Sequence, residues 1–159
     1  MKLSILITLL FALGCASEDA VDGDDAVQAV RYLDQVGDIV QSMRSLEVDI
    51  RRAVPADSID IEVIYPLVEQ RFRPKVAELA EQADALQPTL ADLQPMHQLL
   101  QDYLRLRLEA FDMILEGVRQ QDAALFEQFP QRLDEANTVG QSLERSIERL
   151  RQSLGRAYR

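Results

Sequence analysis

The sequence has little of the chemistry on which metal sites and most catalytic sites depend. It contains one cysteine, Cys15, one histidine, His97, and no tryptophan. A single cysteine cannot close a disulfide within the chain, so the fold has to be held together by packing. Zinc sites need several histidine or cysteine ligands, and di-iron bundles need paired Glu-x-x-His motifs. We therefore expect no metal site and no cofactor.

Motifs for catalysis are missing as well. The sequence contains no Gly-x-Ser-x-Gly nucleophile motif, no glycine-rich phosphate loop and no Cys-x-x-Cys-His haem motif. Its many carboxylates fall on predicted outer helix faces, where they serve solubility. These absences predict that the protein is not an enzyme.

Basic residues are outnumbered, and glycine and proline are sparse. The 159-residue chain has a net charge of −10 at pH 7. Proteins that bind nucleic acid present a basic face to the phosphates, so this charge argues against a nucleic-acid partner. Leu, Ala, Gln, Glu and Arg dominate, with only six glycines and six prolines. This composition is typical of an all-α protein, and the length favours one main domain.

The chain begins with a positive charge followed by an apolar run. Lys2 precedes residues 3–13, which are interrupted only by Ser4 and Thr8. A helix of that length spans roughly 16 Å at about 1.5 Å per residue. A bilayer core of ~30 Å needs about 20 residues, so this run is too short to cross it. It is typical of a secretory signal peptide instead.

The end of the apolar run resembles a bacterial lipobox. It reads Ala12-Leu13-Gly14-Cys15, with alanine where leucine is usual. The resemblance implies that residues 1–14 are removed as a lipoprotein signal peptide and that the cysteine sulfur receives a diacylglyceryl group. Such a cysteine carries two or three acyl chains, such as palmitate, and two chains anchor stably where one does not. An ordinary secreted protein with an incidental cysteine is the alternative.

The residues after the cysteine bear on location. Ala16 and Ser17 follow Cys15, with no aspartate directly after it. In families that resemble enteric lipoproteins, this pattern implies transfer to the outer membrane. The resemblance therefore places the protein in the bacterial cell envelope, lipid-anchored to the outer membrane and facing the periplasm.

An acidic linker joins the cysteine to the domain and occupies residues 15–24. Five carboxylates fall within eight positions: Glu18, Asp19, Asp22, Asp24 and Asp25. Such a segment repels itself and has no apolar surface to bury, so it stays solvated. An EF-hand calcium loop would need a closing glutamate that is missing. We predict a spacer that holds the domain off an anionic membrane surface.

Residues 25–159 are predicted to form an antiparallel, up-down-up-down four-helix bundle. Apolar residues recur there at steps of three and four, and the connections between the four segments are short. Pro55 ends the first segment and Pro88 the second. Pro66 and Pro74 lie inside the second, where an interior proline kinks a helix at a cost of about 3 kcal/mol. We predict one proline-kinked second helix; a new helix starting at Pro74 is the alternative.

The third and fourth segments have different apolar patterns. The third is apolar on more than one side, which predicts the most buried helix, and it ends near Gly117 and residues 119–121. The fourth carries an unbroken coiled-coil-like seam. Pro130 near its start predicts that residues 122–129 form a separate short turn.

Three polar residues of the third segment are candidate ligand-binding residues. His97 is interpreted as a structural histidine bonded to a carboxylate or backbone group near the bundle end. Arg107 is either a surface or ion-paired arginine, or a clamp for a ligand carboxylate. Tyr103 lies four positions before Arg107 and would add a hydroxyl to the same patch.

A second resemblance covers residues 87–150. A loosely defined class of small bacterial lipoproteins has a long helix that begins with Pro-x-His-x-Leu-Leu. The corresponding residues here are Pro95, Met96, His97, Gln98, Leu99 and Leu100. Members of this class have no assigned activity, so the resemblance implies architecture alone.

Two functions are compatible with these features. The first is a lipoprotein that binds membrane lipid through acylated Cys15 and whose bundle is a protein-interaction or scaffolding module, with an envelope protein as partner. The alternative is a bundle that binds a small ligand in a cavity between helices, near His97, Tyr103 and Arg107 or opened by the proline kinks.

Overall fold

The fold is all-α, as predicted. The structure, a computed structural model, describes residues 23–53 and 61–157, with side chains as far as residue 155. Of the described residues 94% are helical, in four helices, and none is in a strand. The signal peptide, Cys15, most of the acidic linker and Pro55 lie outside the described residues.

Seven helical elements make up the four helices. Three consecutive elements follow one another without a break and form the second helix. In chain order they are α1 (Gly23–Ala53), α2 (Ile61–Leu67), a π turn (Val68–Phe72), α3 (Arg73–Ala85), a 3-10 turn (Ala91–Leu93), α4 (Gln94–Gln120) and α5 (Ala123–Ala157). Among these helices, none combines the length and the apolar character that crossing a membrane requires.

Charges at its two ends suit α1. Asp24 and Asp25 lie in its first turn, while Arg51 and Arg52 lie in its last. Carboxylates are stabilised by the positive end of the helix dipole and guanidinium groups by the negative end. The Asp24 carboxylate also accepts a hydrogen bond from the Gln28 amide at 3.1 Å. The helix therefore begins two residues before the predicted start.

The second helix continues past both of its prolines. Pro66 lies inside α2, and Pro74 lies in the first turn of α3, where its missing N–H costs little. The π turn lies between the two prolines and buries Val68 and Phe72 almost completely. π turns of this kind are frequent at functional sites.

The most buried helix is α4, which confirms the prediction from its pattern. It follows the 3-10 turn, has Pro95 in its first turn, and contributes more buried residues than any other described helix. It ends at Gln120, and the capping residue Gln121 has a left-handed φ of 55°. The amide N–H of Asp122 donates to the Gly117 carbonyl at 3.0 Å, which closes the helix end in a Schellman-type arrangement.

The prediction of a separate turn at residues 122–129 is wrong. The Asp122 carboxylate accepts a hydrogen bond from the Ala124 amide at 2.9 Å and so caps α5 at its start. From there α5 continues through Pro130 without a break. Pro130 is exposed, so the carbonyl that loses its partner one turn earlier is close to solvent.

All four helices contribute to one core. Its completely buried large side chains come from every helix, and they are Val36, Phe72, Val76, Leu79, Leu100, Leu104 and Leu143. In a core packed this closely, even a small added volume changes the stability where the neighbouring atoms cannot move.

Adding a methyl group at two glycines of α5 should change the free energy of unfolding in opposite directions. A Cβ on Gly140 would lie 3.0 Å from the Tyr103 ring, whose hydroxyl is held by Glu47, whereas a Cβ on Gly155 meets nothing within 4 Å. We expect Gly155→Ala to raise the free energy of unfolding by up to about 1 kcal/mol, through helix propensity. Gly140→Ala should lower it by about 1–2 kcal/mol because overpacking outweighs that gain. Urea denaturation measures both, and equal effects would contradict the packing described.

Candidate functional site

Arg107 is a buried cation that connects three helices. Its guanidinium is ion-paired with Glu47 of α1 and donates to the Asn137 side-chain oxygen of α5 at 2.8 Å. The residue is only 8% exposed. Of the two interpretations of Arg107, the structure thus shows an arginine paired with a carboxylate from another helix.

Tyr103 belongs to the same group of side chains. Its hydroxyl donates to the Glu47 carboxylate at 3.0 Å, and the Arg107 guanidinium lies 5.3 Å from its ring centroid. Burial raises the pKa of Tyr103 to about 12, while the nearby Arg107 acts in the opposite direction. We call Glu47, Tyr103, Arg107 and Asn137 the polar cluster.

A cavity of about 250 Å³ lies against the polar cluster and also contacts Arg44 and Glu144. The Arg107 Nε is buried there without a hydrogen-bond partner among the described residues. Both arginines that line the cavity already have a carboxylate, since Arg44 pairs with Glu144 at 2.6 Å. The charge of this polar cavity is therefore largely neutralised from within.

His97 lies apart from the polar cluster. Its Nδ1 is 3.1 Å from the Tyr32 hydroxyl of α1, and the two rings meet edge to face with centroids 6.2 Å apart. The predicted partner was a carboxylate or a backbone group, and the observed partner is a phenol. His97 does not line the polar cavity, so the structure brings Tyr103 and Arg107 together without it.

Two tyrosines should resist ionisation. Burial raises the pKa of both Tyr32 and Tyr103 from 10.0 to about 12. Below pH 10 each phenol is neutral in the folded and the unfolded chain. Between pH 10 and 12 the unfolded chain loses the proton first, so stability should fall as pH rises, by on the order of 2 kcal/mol per tyrosine.

Spectrophotometric titration of the phenols checks this expectation. The absorbance change in the high-pH part of the titration curve should be smaller in Tyr32→Phe than in the unmodified protein. The same decrease is expected in Tyr103→Phe. A native titration that is complete near pH 10 would contradict the burial of both rings.

A second and larger cavity, of about 770 Å³, lies among the end of α1, the second helix, the end of α4 and the start of α5. Its wall is mostly aliphatic and aromatic. The apolar lining residues are Ile50, Ile61, Ile64, Val68, Phe72, Phe111, Ile114, Gly117, Val118, Ala123, Phe126, Phe129, Pro130 and Leu133. We call it the apolar cavity. Its size and composition are those of sites that bind small apolar molecules.

Of the described residues that line the apolar cavity, only two are polar. They are Arg51, in the last turn of α1, and Gln121, in the turn after α4. Both are exposed, as are Ala123 and Pro130, so the cavity opens to the surface on this side. It therefore combines an apolar interior with a polar rim.

Local backbone structure shapes the apolar cavity in two places. The π turn supplies Val68 and Phe72 to its wall. On α4, Gly117 lies against the Phe126 ring, where a Cβ would be 3.0 Å from the ring carbon Cζ. The absence of a side chain at Gly117 thus lets the ring lie close to the helix backbone.

The sequence alone did not identify the residues that line the apolar cavity. It had one relevant signal, the pair of prolines Pro66 and Pro74, which suggested an opening between helices. The structure places the π turn between them and puts that turn in the cavity wall. The aromatic residues at the start of α5 carried no separate signal, since they also fit a core seam.

Within the described ranges, no three His, Cys, Asp or Glu side chains are grouped so that they could hold a metal ion. Cys15, the predicted lipidation site, is outside those ranges.

Comparison with known proteins was negative throughout. No protein-family model matches the chain, no curated protein matches it, and no solved structure matches it.

Proposed function

We propose that this chain is a membrane-anchored lipoprotein of the bacterial cell envelope whose helical bundle binds an apolar ligand and has no enzymatic activity. The observation that carries the proposal is the apolar cavity, which is large, lined almost wholly by carbon and open on one side. Burial of apolar surface is the main driving force for association with such a site.

The proposal includes an antiparallel, up-down-up-down order of the four helices. Residue pairs between α4 and α5 support it, because Gly117 lies near Phe126 whereas Tyr103 lies near Gly140. Pairs between α3 and α4 have the same opposed order. They are Arg73 with Asp112 and Asp84 with Gln101. The π turn between two prolines supports a kink in the second helix, since such turns bend helices.

The apolar cavity lies far from the start of α1. Gly23 begins α1, and the cavity residue Ile50 lies 27 residues later, which corresponds to about 40 Å along the helix. Acylated Cys15 and the acidic linker would precede Gly23. The cavity would then face away from the membrane, into the periplasm if the anchor is in the outer membrane.

A protein-interaction or scaffolding module is the second candidate function. The open side of the apolar cavity favours it, because an amphipathic helix of an envelope protein binds through apolar residues in a groove of this kind. Arg51 and Gln121 would then form part of a polar rim.

The polar cavity is a weaker candidate for ligand binding. Its one supporting observation is the unpartnered Nε of Arg107. Because Arg44 and Arg107 are already ion-paired, an incoming anion would have to compete with Glu144 and Glu47. We therefore place the ligand in the apolar cavity.

A binding measurement with a unique fluorophore tests the proposed function. The chain has no tryptophan, so Phe129→Trp places one reporter in the wall of the apolar cavity, while Val30→Trp places one on the exposed face of α1. Both go into the chain from residue 15 with Cys15→Ala. Neutral N-phenylnaphthylamine should change the emission of the first reporter saturably and leave the second unchanged. No saturable change at either position would overturn the proposal.

A further inference from the structure

The polar rim of the apolar cavity has a definite charge. Among the described residues that line the cavity, Arg51 is the only charged one and Gln121 is the only other polar one. An apolar interior with a single cation at its mouth is complementary to an amphiphile with one anionic group. A cationic head group would find no counter-ion there. A neutral head group would leave the Arg51 guanidinium without an anionic partner.

Arg51 is also uncommitted in the described part of the chain. It has no ion pair or hydrogen bond there, although the nearby carboxylate of Asp49 is held by Arg71 at 2.7 Å. Arg119, in the last turn of α4, is likewise held by Glu69 at 3.1 Å. Arg51 differs from these arginines in lining the cavity and in having no carboxylate partner among the described residues.

We propose that the ligand of the apolar cavity is a single-chain, monoanionic amphiphile of the fatty-acid type. This inference rests on the proposed function and specifies its ligand. The acyl chain occupies the cavity, the carboxylate accepts hydrogen bonds from the Arg51 guanidinium, and the Gln121 amide provides a further donor at the rim. Hydrogen bonds between two ionised groups are about twice as strong as neutral ones.

The source of the ligand is solution rather than the membrane bilayer. The cavity lies at the end of α1 opposite to Gly23, about 40 Å from the start of the helix. If α1 stands upright on the anchor, a lipid that stays in the bilayer would not reach the cavity. A fatty acid that has left the bilayer is small enough to enter by diffusion.

Arg51 and Arg52 form a matched pair for testing the role of the charge. Both lie in the last turn of α1, both are exposed, and only Arg51 lines the cavity. Arg51→Gln and Arg52→Gln change the net charge equally and remove the same kind of favourable interaction with the helix dipole. A general electrostatic effect should therefore appear in both variants.

The experiment is displacement of neutral N-phenylnaphthylamine by palmitate, hexadecanol or hexadecylamine, using the chain from residue 15 with Cys15→Ala. Palmitate should compete roughly three to ten times more strongly than the alcohol or the amine. Arg51→Gln should abolish this preference, while Arg52→Gln should keep it.

Three results would overturn this inference without overturning the proposed function. Equal competition by palmitate and hexadecanol would leave apolar binding intact but remove the anion preference. Equal loss in Arg51→Gln and Arg52→Gln would replace the specific contact with general electrostatics. Tight, Arg51-dependent binding to phosphatidylglycerol vesicles, with none to palmitate, would make the bilayer the source. If the neutral probe itself does not bind, the proposed function fails, and this inference fails with it.

Discussion

Replacing Glu47 by alanine should lower the free energy of unfolding by about 3–4 kcal/mol. The change leaves Arg107, which is 8% exposed, with Asn137 as its remaining partner among the described residues. A buried charge that loses its counter-ion is strongly destabilising, by about 3–5 kcal/mol. Tyr103 would lose the acceptor of its hydroxyl as well. Urea denaturation of the two proteins measures the difference.

Two further variants make this expectation specific. Glu144→Ala breaks the ion pair with Arg44, in which both side chains are more than half exposed, and should cost no more than about 0.5 kcal/mol. Glu47→Gln keeps an acceptor for Tyr103 and Arg107 and should fall between these values. If Glu47→Ala costs no more than Glu144→Ala, Arg107 is not a buried ion-paired residue.

Replacing Cys15 by alanine should abolish lipid attachment. Cys15 is the only cysteine in the sequence, so no other thiol is present to receive the diacylglyceryl group. Without acyl chains the domain loses the contribution of about 0.8 kcal/mol per buried methylene group that holds it at the membrane. Metabolic labelling with a fatty-acid analogue and membrane fractionation should both show complete loss.

A serine near the cysteine supplies the control. Ser17→Ala removes a hydroxyl two residues away and should leave labelling and membrane association unchanged. If Cys15→Ala keeps its label, the resemblance to a lipobox is misleading, and the anchor has to be removed from the proposed function. The fold and the apolar cavity do not depend on this result.

Local signals in the sequence explain the part of the fold that was predicted. The helices follow from apolar residues at steps of three and four, and the end of α4 follows from Gly117 and the polar residues after it. The burial of α4 follows from its apolar residues on more than one side. Each of these signals acts within a few turns of one helix, so sequence alone is sufficient to read it.

The prolines are a case in which local sequence signals do not predict the backbone structure. Pro66 and Pro74 accompany a π turn, whereas Pro130 lies in a continuous α-helix. The missing N–H is the same in all three cases. What differs is the packing of the side chains nearby, since Val68 and Phe72 in the π turn are buried in the core, while Phe126 and Phe129 before Pro130 are half-buried. Packing between helices decides the outcome, and the residue type does not reveal it.

The candidate sites needed the tertiary structure for the same reason. Arg107 stood out because it interrupts an apolar seam, and Tyr103 because it lies four positions earlier. Their partner Glu47 lies 60 positions from Arg107, on another helix. The phenol that meets His97 is also on another helix. The apolar cavity depends on the relative positions of four helix ends, and its residues have no pattern of their own in the sequence.

The apolar cavity is the central claim, and isoleucine methyl NMR tests it most directly. Ile50, Ile61, Ile64 and Ile114 line the cavity, whereas Ile39 and Ile147 are buried in the core elsewhere. Titration of the chain from residue 15, carrying Cys15→Ala, with dodecanol should shift the methyl signals of the four lining residues saturably and leave the other two unchanged. Equal shifts at all six of these isoleucines, or no saturable shift at the four, would contradict ligand binding in the apolar cavity.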